Sequence, residues 1–485
     1  MVSRLQTSRE LLLHDSLSLT FLNINGLYKR QMNYCKLDEP ELVNQLSQFD
    51  IIGLAETHCL PEETPYLEGY KTFVMNRPLK ESARKPSGGI AAFVKSKLSK
   101  GITLNERSGQ HAIWLRLKKD YFGIDKDIFV GIVYLLPENS PYATPNSMPV
   151  IELLEEDIQK LSLSGNIMLL GDLNARTGTE SDFIPYDSPN YIPSINELPY
   201  IGDGFPPARA NQDGVLNDRG KDLLELCVSV RIRILNGRFP GDSMGYFTCH
   251  KHNGSSAVDY GMVSEEILSN ILYFHVHRQL SSFTDHCQIA LCLHKLKFKK
   301  SANETVSLKP LPRSFKWNED SAETFLASLC MPDSVTDVNH IMQTTFNETV
   351  GGVEQAVSKL ETVMIRAAER SLKSKRIKQK RRDDHKKWFN GDLARLRREV
   401  TSAGRLMCCF PRDPFIRGNY FRTLKIYRKS CKLEYQKFKS KLISQLDSLH
   451  NSNPREYWNL VGQISGSTEK KGILMPDSSL SITKN

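Results

Sequence analysis

A chain of 485 residues, 40 % hydrophobic and 25 % charged, has room for two or three domains and a sizeable core. Its ten cysteines include no CxxC pair, so they suggest neither a zinc site nor a disulfide framework, and no apolar run reaches signal-peptide or membrane-spanning length. The net charge of +10 is unevenly placed: residues 1–300 carry 32 Lys+Arg against 35 Asp+Glu, and residues 301–485 carry 33 against 20. That asymmetry predicts an acidic catalytic half and a basic half that meets a polyanion. The expectation is an intracellular protein, nuclear or cytoplasmic, with free thiols and no membrane partner.

Strand-like runs come first in the chain: Leu17–Ile24, Asp50–Ala55, Gly89–Val94, Ile128–Leu135, Ile167–Leu170, Ile232–Leu235, Val258–Val263 and Cys287–Leu293. Helical patterns at Val150–Leu163 and Lys221–Val230 lie between some of them. Many short strands with few helical crossovers predict a mixed α/β body of two packed sheets. Gly178–Arg219, rich in Pro, Asp and Asn, reads as an extended surface loop. The Lys295–Lys300 run marks a boundary, giving residues 1–16 as an extension, 17–295 as a domain, 296–314 as a linker and 315–485 as a mainly helical basic region. Within that region Val353–Leu372 is helical, and Lys373–Lys387 holds nine Lys/Arg in fifteen residues. After Pro411 and Pro414, apolar residues from Tyr420 to Leu449 recur every ~3.6 positions, an amphipathic helix period. A helix that packs on the rest of the chain is the preferred reading of that stripe.

Several strand-like runs end in acceptors and carboxylates, and active-site residues often sit where strands meet loops. Asn23 closes the first strand; it can give a carbonyl to a metal or orient a carboxylate. Glu56 follows an apolar strand, where a carboxylate must be exposed, paired or metal-bound. Asp172 and Asn174 follow Ile167–Leu170; two apart on an extended segment, they would face one side. Asp259 lies in Val258–Val263, and Asp285-His286 precedes the last strand. A carboxylate beside His286 would favour its imidazolium. Singly, most of these residues have an ordinary structural reading, and Tyr134 is most simply a packed aromatic.

In identity and order, Asn23, Glu56, Tyr134, Asp172, Asn174, Asp259 and Asp285-His286 resemble the endonuclease/exonuclease/phosphatase family over residues 17–294. The resemblance implies a four-layer α/β sandwich, DNase I-like, followed by a mainly α-helical basic C-terminal region. It also implies Mg²⁺ as cofactor, or Mn²⁺ in its place, held by Glu56 with Asn23 and Asp285. Asp172 would position or deprotonate water, and Asn174 would bind the scissile phosphate. His286, oriented by Asp259, would oppose developing charge, and Tyr134 would touch a phosphate oxygen. Thr248 and Ser256 would contact substrate, with Cys249–Ser255 between them a surface loop that influences site choice. Departures are small: Leu22 and Thr284 replace commoner residues, and no charged group is lost.

The wording is similar to one branch. Leu22–Leu27, Ala55-Glu56-Thr57-His58, Gly171–Gly178, Leu235–Arg238 and Ser256–Tyr260 look like the endonuclease domain of LINE-type (non-LTR) retrotransposons. Phe315-Lys316-Trp317, Trp388-Phe389, the 420–449 stripe and Pro454–Trp458 resemble the linker that follows it. The resemblance implies nicking of double-stranded DNA to leave a 3′-hydroxyl. No apolar-flanked Tyr/Phe-x-Asp-Asp of a reverse transcriptase occurs, so that partner activity is expected from elsewhere. Lys375, Arg376, Lys380, Arg381 and Arg382 are expected to contact phosphates of DNA, or of RNA. Alternatives are a phosphatase of the same fold acting on inositol phosphates or phospholipids, and a catalytically silent nucleic-acid-binding protein.

Overall fold

Alternation along the apolar runs decides the layering. In a strand, successive side chains point to opposite faces, so a run buried on both faces belongs to an inner sheet. The computed structural model describes residues 16–294 except 33, 79–85, 138–149, 186–201 and 205, residues 314–449 except 316–320, 348–349, 373 and 376–386, and Tyr457. Two compact units divide the chain: residues 1–299 with 385–485, and residues 300–384.

The first unit holds fourteen strands used below: β1 (Leu17–Asn23), β2 (Ile51–Ala55), β3 (Tyr70–Met75), β4 (Ile90–Lys95), β5 (Ile102–Leu104), β6 (Ala112–Leu117), β7 (Asp127–Tyr134), β8 (Gly165–Asp172), β9 (Ile232–Ile234), β10 (Cys249–Lys251), β11 (Gly254–Ser256), β12 (Asp259–Ser264), β13 (Ile271–Val276) and β14 (Ile289–Leu293). Its helices include α1 (Pro40–Leu46), α2 (Val150–Ser162) and α3 (Asp218–Ser229). One six-stranded sheet runs β13-β14-β1-β2-β4-β3, and the other β9-β12-β8-β7-β6-β5. The central pairs β1–β2 and β7–β8 are parallel, and their outer neighbours are antiparallel.

Leu19 and Phe21 of β1, Ile51 of β2, Ile132 of β7 and Leu170 of β8 share one buried cluster between the sheets. The alternate residues face outward: Leu22, Ile52 and Leu54 pack with Leu42 and Leu46 of α1. On the other side Phe129, Val133 and Leu169 pack with Leu154 and Ile158 of α2 and Leu223 of α3. The four layers are helix, sheet, sheet, helix, as the resemblance implied. Gly53 lies where the sheets press closest, since a Cβ there would meet the Ile132 side chain at 2.6 Å.

The expected single helical region over 315–485 divides differently. Helices α4 (Ser321–Leu329), α5 (Pro332–Gln343) and α6 (Val350–Ser371) form the second unit, where Arg366 pairs with Asp337 and Arg370 with Asp333. Helices α7 (Gly391–Cys409) and α8 (Pro414–Leu449) belong to the first unit. Met407 of α7 and Tyr420, Leu424 and Tyr427 of α8 bury one face of the stripe read from the sequence. The pair docks on the sandwich: Arg397 pairs with Glu39 at 2.8 Å and Glu41 at 2.7 Å, and the Tyr420 hydroxyl donates to Ser281 O at 3.3 Å. The reason is chemical: α7 offers a small residue, Gly404, and an arginine where the sandwich offers Ser281 and two glutamates. Residues 1–15, 295–300 and 450–456 lie outside the described residues, with the extension, the Lys295–Lys300 run and part of the Pro454–Trp458 motif. No helix among the described residues is long and apolar enough to cross a membrane.

Candidate active site

Parallel pairing brings four strand ends to one edge. Asn23 ends β1 opposite Ala55, and Glu56 follows directly. Asp172 ends β8, in register with Tyr134 on one side and Asp259 on the other. A hydrogen-bonded chain crosses from one sheet to the other here. The Asn23 Nδ2 donates to Glu56 Oε1 at 2.9 Å and to Asp172 Oδ2 at 2.8 Å. Its Oδ1 accepts from the Asn25 N–H at 3.0 Å. Asn23 thus takes the carboxylate-orienting role of the two open to it. The Tyr134 hydroxyl donates to Glu56 Oε1 at 3.0 Å, so this packed aromatic also positions a carboxylate.

His286 faces Asp172 across the edge, Nε2 to Oδ2 at 4.0 Å, while its Nδ1 meets Asp259 Oδ2 at 2.9 Å. Asp285 points the other way and accepts from Asn25 Nδ2 at 2.9 Å. Asn23, Glu56, Tyr134, Asp172, Asp259 and His286 therefore meet at one edge. Asn174 departs from the extended geometry expected of it. Its φ is +48°, because the strand ends at Asp172, and its Nδ2 donates to Leu135 O at 2.8 Å. Four of the five described non-glycine residues with positive φ lie here: Asn25, Glu56, His58 and Asn174. Left-handed backbone at non-glycine residues costs energy and gathers at functional sites.

The environments push neighbouring groups apart. Burial, then the Asp259 charge, raises Asp172 to about 7, against His286 and Asn23. Burial also opposes charge on Glu56, yet bonds from His58 and Asn23 outweigh it and hold Glu56 near 2. Burial disfavours the His286 imidazolium, but Asp259 overrides it and raises the histidine. Neighbouring carboxylates driven in opposite directions are a common mark of a functional site.

Thr248 is a correction. Expected to touch substrate, it is fully buried, and its Oγ1 accepts the Val258 and Asp259 N–H groups at 3.0 Å each. It fixes the segment that presents Asp259. Ser256 lies half-buried on β11, and the Cys249–Ser255 loop is a hairpin whose tip, His252 and Asn253, is exposed. The Lys375 side chain and Arg376, Lys380, Arg381 and Arg382 lie outside the described residues.

Three residues went unread in the sequence. His58 Nε2 lies 3.5 Å from Glu56 Oε2; its place two residues after Glu56 was the available signal. Lys251, on β10, is raised by Cys249 and by the carboxylates of Asp285, Asp172 and Glu56 despite its burial, so it is a cation in the field of the site. Lys36 is buried, and its Nζ donates to Ile24 O at 2.5 Å, Phe283 O at 2.7 Å and Asn25 O at 3.0 Å. It joins the loop after β1 to the loop before Asp285, a role no local pattern announces.

The oxygen-rich donor set suits a hard divalent cation. Glu56 and Asp172 receive their bonds from Asn23, Tyr134, His58 and the Asn174 N–H rather than from a lysine or arginine that would neutralise them. Asp172, Asp259 and His286 bring their possible ligand atoms within 4.8 Å of one another.

No curated protein is matched by this chain. Among solved structures it is similar to the AP endonuclease LMAP from Leishmania major, with 14 % identity, TM-score 0.41, and 58 % of this chain and 88 % of that one covered. It is similar to the Xenopus laevis APE2 catalytic domain, with 18 % identity, TM-score 0.37, and coverage of 57 % and 93 %. The endonuclease domain of TRAS1, a telomere-specific non-LTR retrotransposon, aligns with 14 % identity, TM-score 0.35, and coverage of 57 % and 98 %. Residues 21–269, more than half of the chain, match the family model described as Endonuclease/Exonuclease/phosphatase family. With that match over more than half of its length, the chain belongs to the endonuclease/exonuclease/phosphatase family of phosphoester hydrolases.

Proposed function

We propose that the chain is a Mg²⁺-dependent endonuclease that nicks one strand of double-stranded DNA and leaves a 3′-hydroxyl, and that it derives from a non-LTR retrotransposon. The observation that carries the hydrolytic reading is the Asp172 carboxylate, buried, bonded to Asn23 Nδ2 at 2.8 Å and 4.0 Å from His286 Nε2. The nuclease branch rests on the LINE-like wording of the motifs and on the basic C-terminal half.

Asp172 accepts a proton from water as the water oxygen bonds to phosphorus. The bond from phosphorus to the 3′-oxygen breaks and that oxygen takes a proton from solvent, giving a 5′-phosphate and a 3′-hydroxyl. His286, held by Asp259, carries positive charge toward the developing phosphorane. Asn23 and Tyr134 keep Glu56 oriented, and Asn174, two residues past the strand end, would bind the scissile phosphate. When bound, a Mg²⁺ ion held by Glu56 and Asp285 supplies further positive charge to the phosphate oxygens. Lys251 offers a cation to the DNA backbone near the site.

Supercoiled plasmid with Mg²⁺ tests the reading, with end mapping on a labelled duplex. Wild type should give open circles with 3′-hydroxyl ends, and Asp172→Ala should give none. Release of inorganic phosphate from a small phosphoester without nicking would favour the phosphatase. Equal DNA binding by both proteins with no cutting would favour a silent binding module. Exchange of the His252-Asn253 tip should shift the cleavage pattern.

A further inference from the structure

Cys287 follows the candidate catalytic His286 directly, and its thiol lies apart from the phosphoester chemistry. The Cys287 Sγ, the Cys408 Sγ on α7 and a ring nitrogen of His250 on β10 all lie within 4.8 Å of one another. His250 and Cys287 are each 2 % exposed. His250 Nε2 is 3.8 Å from Cys408 Sγ. A tetrahedral zinc with sulfur at ~2.3 Å and nitrogen at ~2.0–2.1 Å has S···N edges of about 3.6 Å, so the donors already stand near ligating separation.

We propose that His250, Cys287 and Cys408 form a zinc-binding site that clamps helix α7 to the sandwich, one residue from His286. The histidine is prepared for it. Its Nδ1 meets Ser255 Oγ at 2.9 Å, and a hydroxyl that accepts there leaves Nε2 to ligate on the Cys408 side. A ligating histidine held through its other ring nitrogen is the usual second contact of a zinc site. Ser255 is in turn held by Arg417 of α8 at 2.7 Å.

The donor set is unlike that of the active site. Two thiolates and an imidazole suit a borderline-soft ion such as Zn²⁺, whereas carboxylates suit Mg²⁺. Three protein ligands leave one tetrahedral corner to water. The clamp would act on structure rather than on phosphate. His250 N–H bonds Asp285 O at 2.8 Å and Cys287 N–H bonds Thr248 O at 2.6 Å, so the ion would stiffen the segment carrying Asp285 and His286. Each bound zinc releases protons from its thiols and needs no oxidant.

The test uses the full chain, untagged and reduced. Elemental analysis should give about one zinc per chain after dialysis. Titration of the zinc-free protein with Co²⁺ should give thiolate-to-cobalt charge-transfer bands in the near ultraviolet. Cys287→Ser and Cys408→Ser should each remove about half of that intensity, because it scales with the number of thiolates. His250→Gln should keep the bands and weaken Co²⁺ binding at least tenfold. Cys409→Ser, exposed and next to Cys408, and Cys249→Ser, beside His286, should change neither. Should a serine variant fail to fold, the wild type still decides, since Cys287 and Cys408 should resist alkylation until a chelator is added. Absence of zinc and of charge-transfer bands in the wild type would overturn the site, as would bands that survive both serine substitutions. A Cys287–Cys408 disulfide in the reduced protein would overturn it equally.

Discussion

Gly404 in the middle of α7 gives a test with opposite signs for two pictures of the C-terminal helices. A Cβ at Gly404 would stand 1.9 Å from Ser281 Oγ, 2.7 Å from Ser281 Cβ and 3.4 Å from Tyr420 Cε2. The hydroxyl can rotate away, but the Ser281 Cβ is fixed to the backbone, so the helix must retreat by nearly an ångström. Overpacking of this kind costs about 1–3 kcal/mol. Against it stands the helix preference for Ala over Gly, about 1 kcal/mol. For Gly404→Ala the net expectation is about 0–2 kcal/mol less stable docking, equivalent to up to roughly 30-fold faster exchange of α7 amide hydrogens by local opening. On a solvent-facing helix the same change would slow exchange about fivefold. Adding Ser281→Gly removes both close atoms and should restore wild-type exchange. Slower exchange in Gly404→Ala, or no rescue by Ser281→Gly, would refute the docking of α7 on the sandwich.

Asp259→Asn should lower single-turnover plasmid nicking by about 10²–10³, the scale of losing an oriented charge at the transition state, with little change in KM; a loss under about tenfold would contradict the role of Asp259. Lys36→Met should cost about 2–4 kcal/mol in urea unfolding, because three buried carbonyls lose their donor, and should also slow nicking. Full activity there would show that the two loops hold without it. Burial, with His275 adding to it, lowers His277 to about 4. The folded state then binds fewer protons than the unfolded between about 4 and 6.5, so stability is lost as pH falls through that window. His277→Phe should remove roughly 1 kcal/mol of the wild-type loss between pH 7.5 and 5, allowing for partial exposure, and an unchanged pH profile in urea unfolding would exclude the histidine.

The central strands were legible because burial on both faces leaves continuous apolar runs: Leu17–Asn23, Ile51–Ala55 and Gly165–Asp172 differ from their expected bounds by one or two residues. Edge strand Tyr70–Met75 escaped reading, since its half-exposed face admits Lys71 and Thr72. Helix α7 also escaped, although Asn390 caps it through the Leu393 N–H at 3.0 Å and Leu393, Val400 and Met407 keep a helical period. The charges of the candidate site were legible because each lies at or beside one end of an apolar strand. Their division of labour was not. Asp172 and Glu56 are both carboxylates after apolar runs, and only burial between the sheets, with Asn23 bonded to each, sets one up and the other down.

By itself, then, the sequence determined the two-sheet body, the acidic edge and the basic second half. Tertiary structure alone decided that Thr248 is a buried strut, that α7 and α8 join the sandwich, and that His250, Cys287 and Cys408 stand together. The physical reason is separation along the chain. Cys408 and His250 lie 158 residues apart, so no local spacing records their contact, and only the packing of α7 on the sandwich brings the thiol to the imidazole.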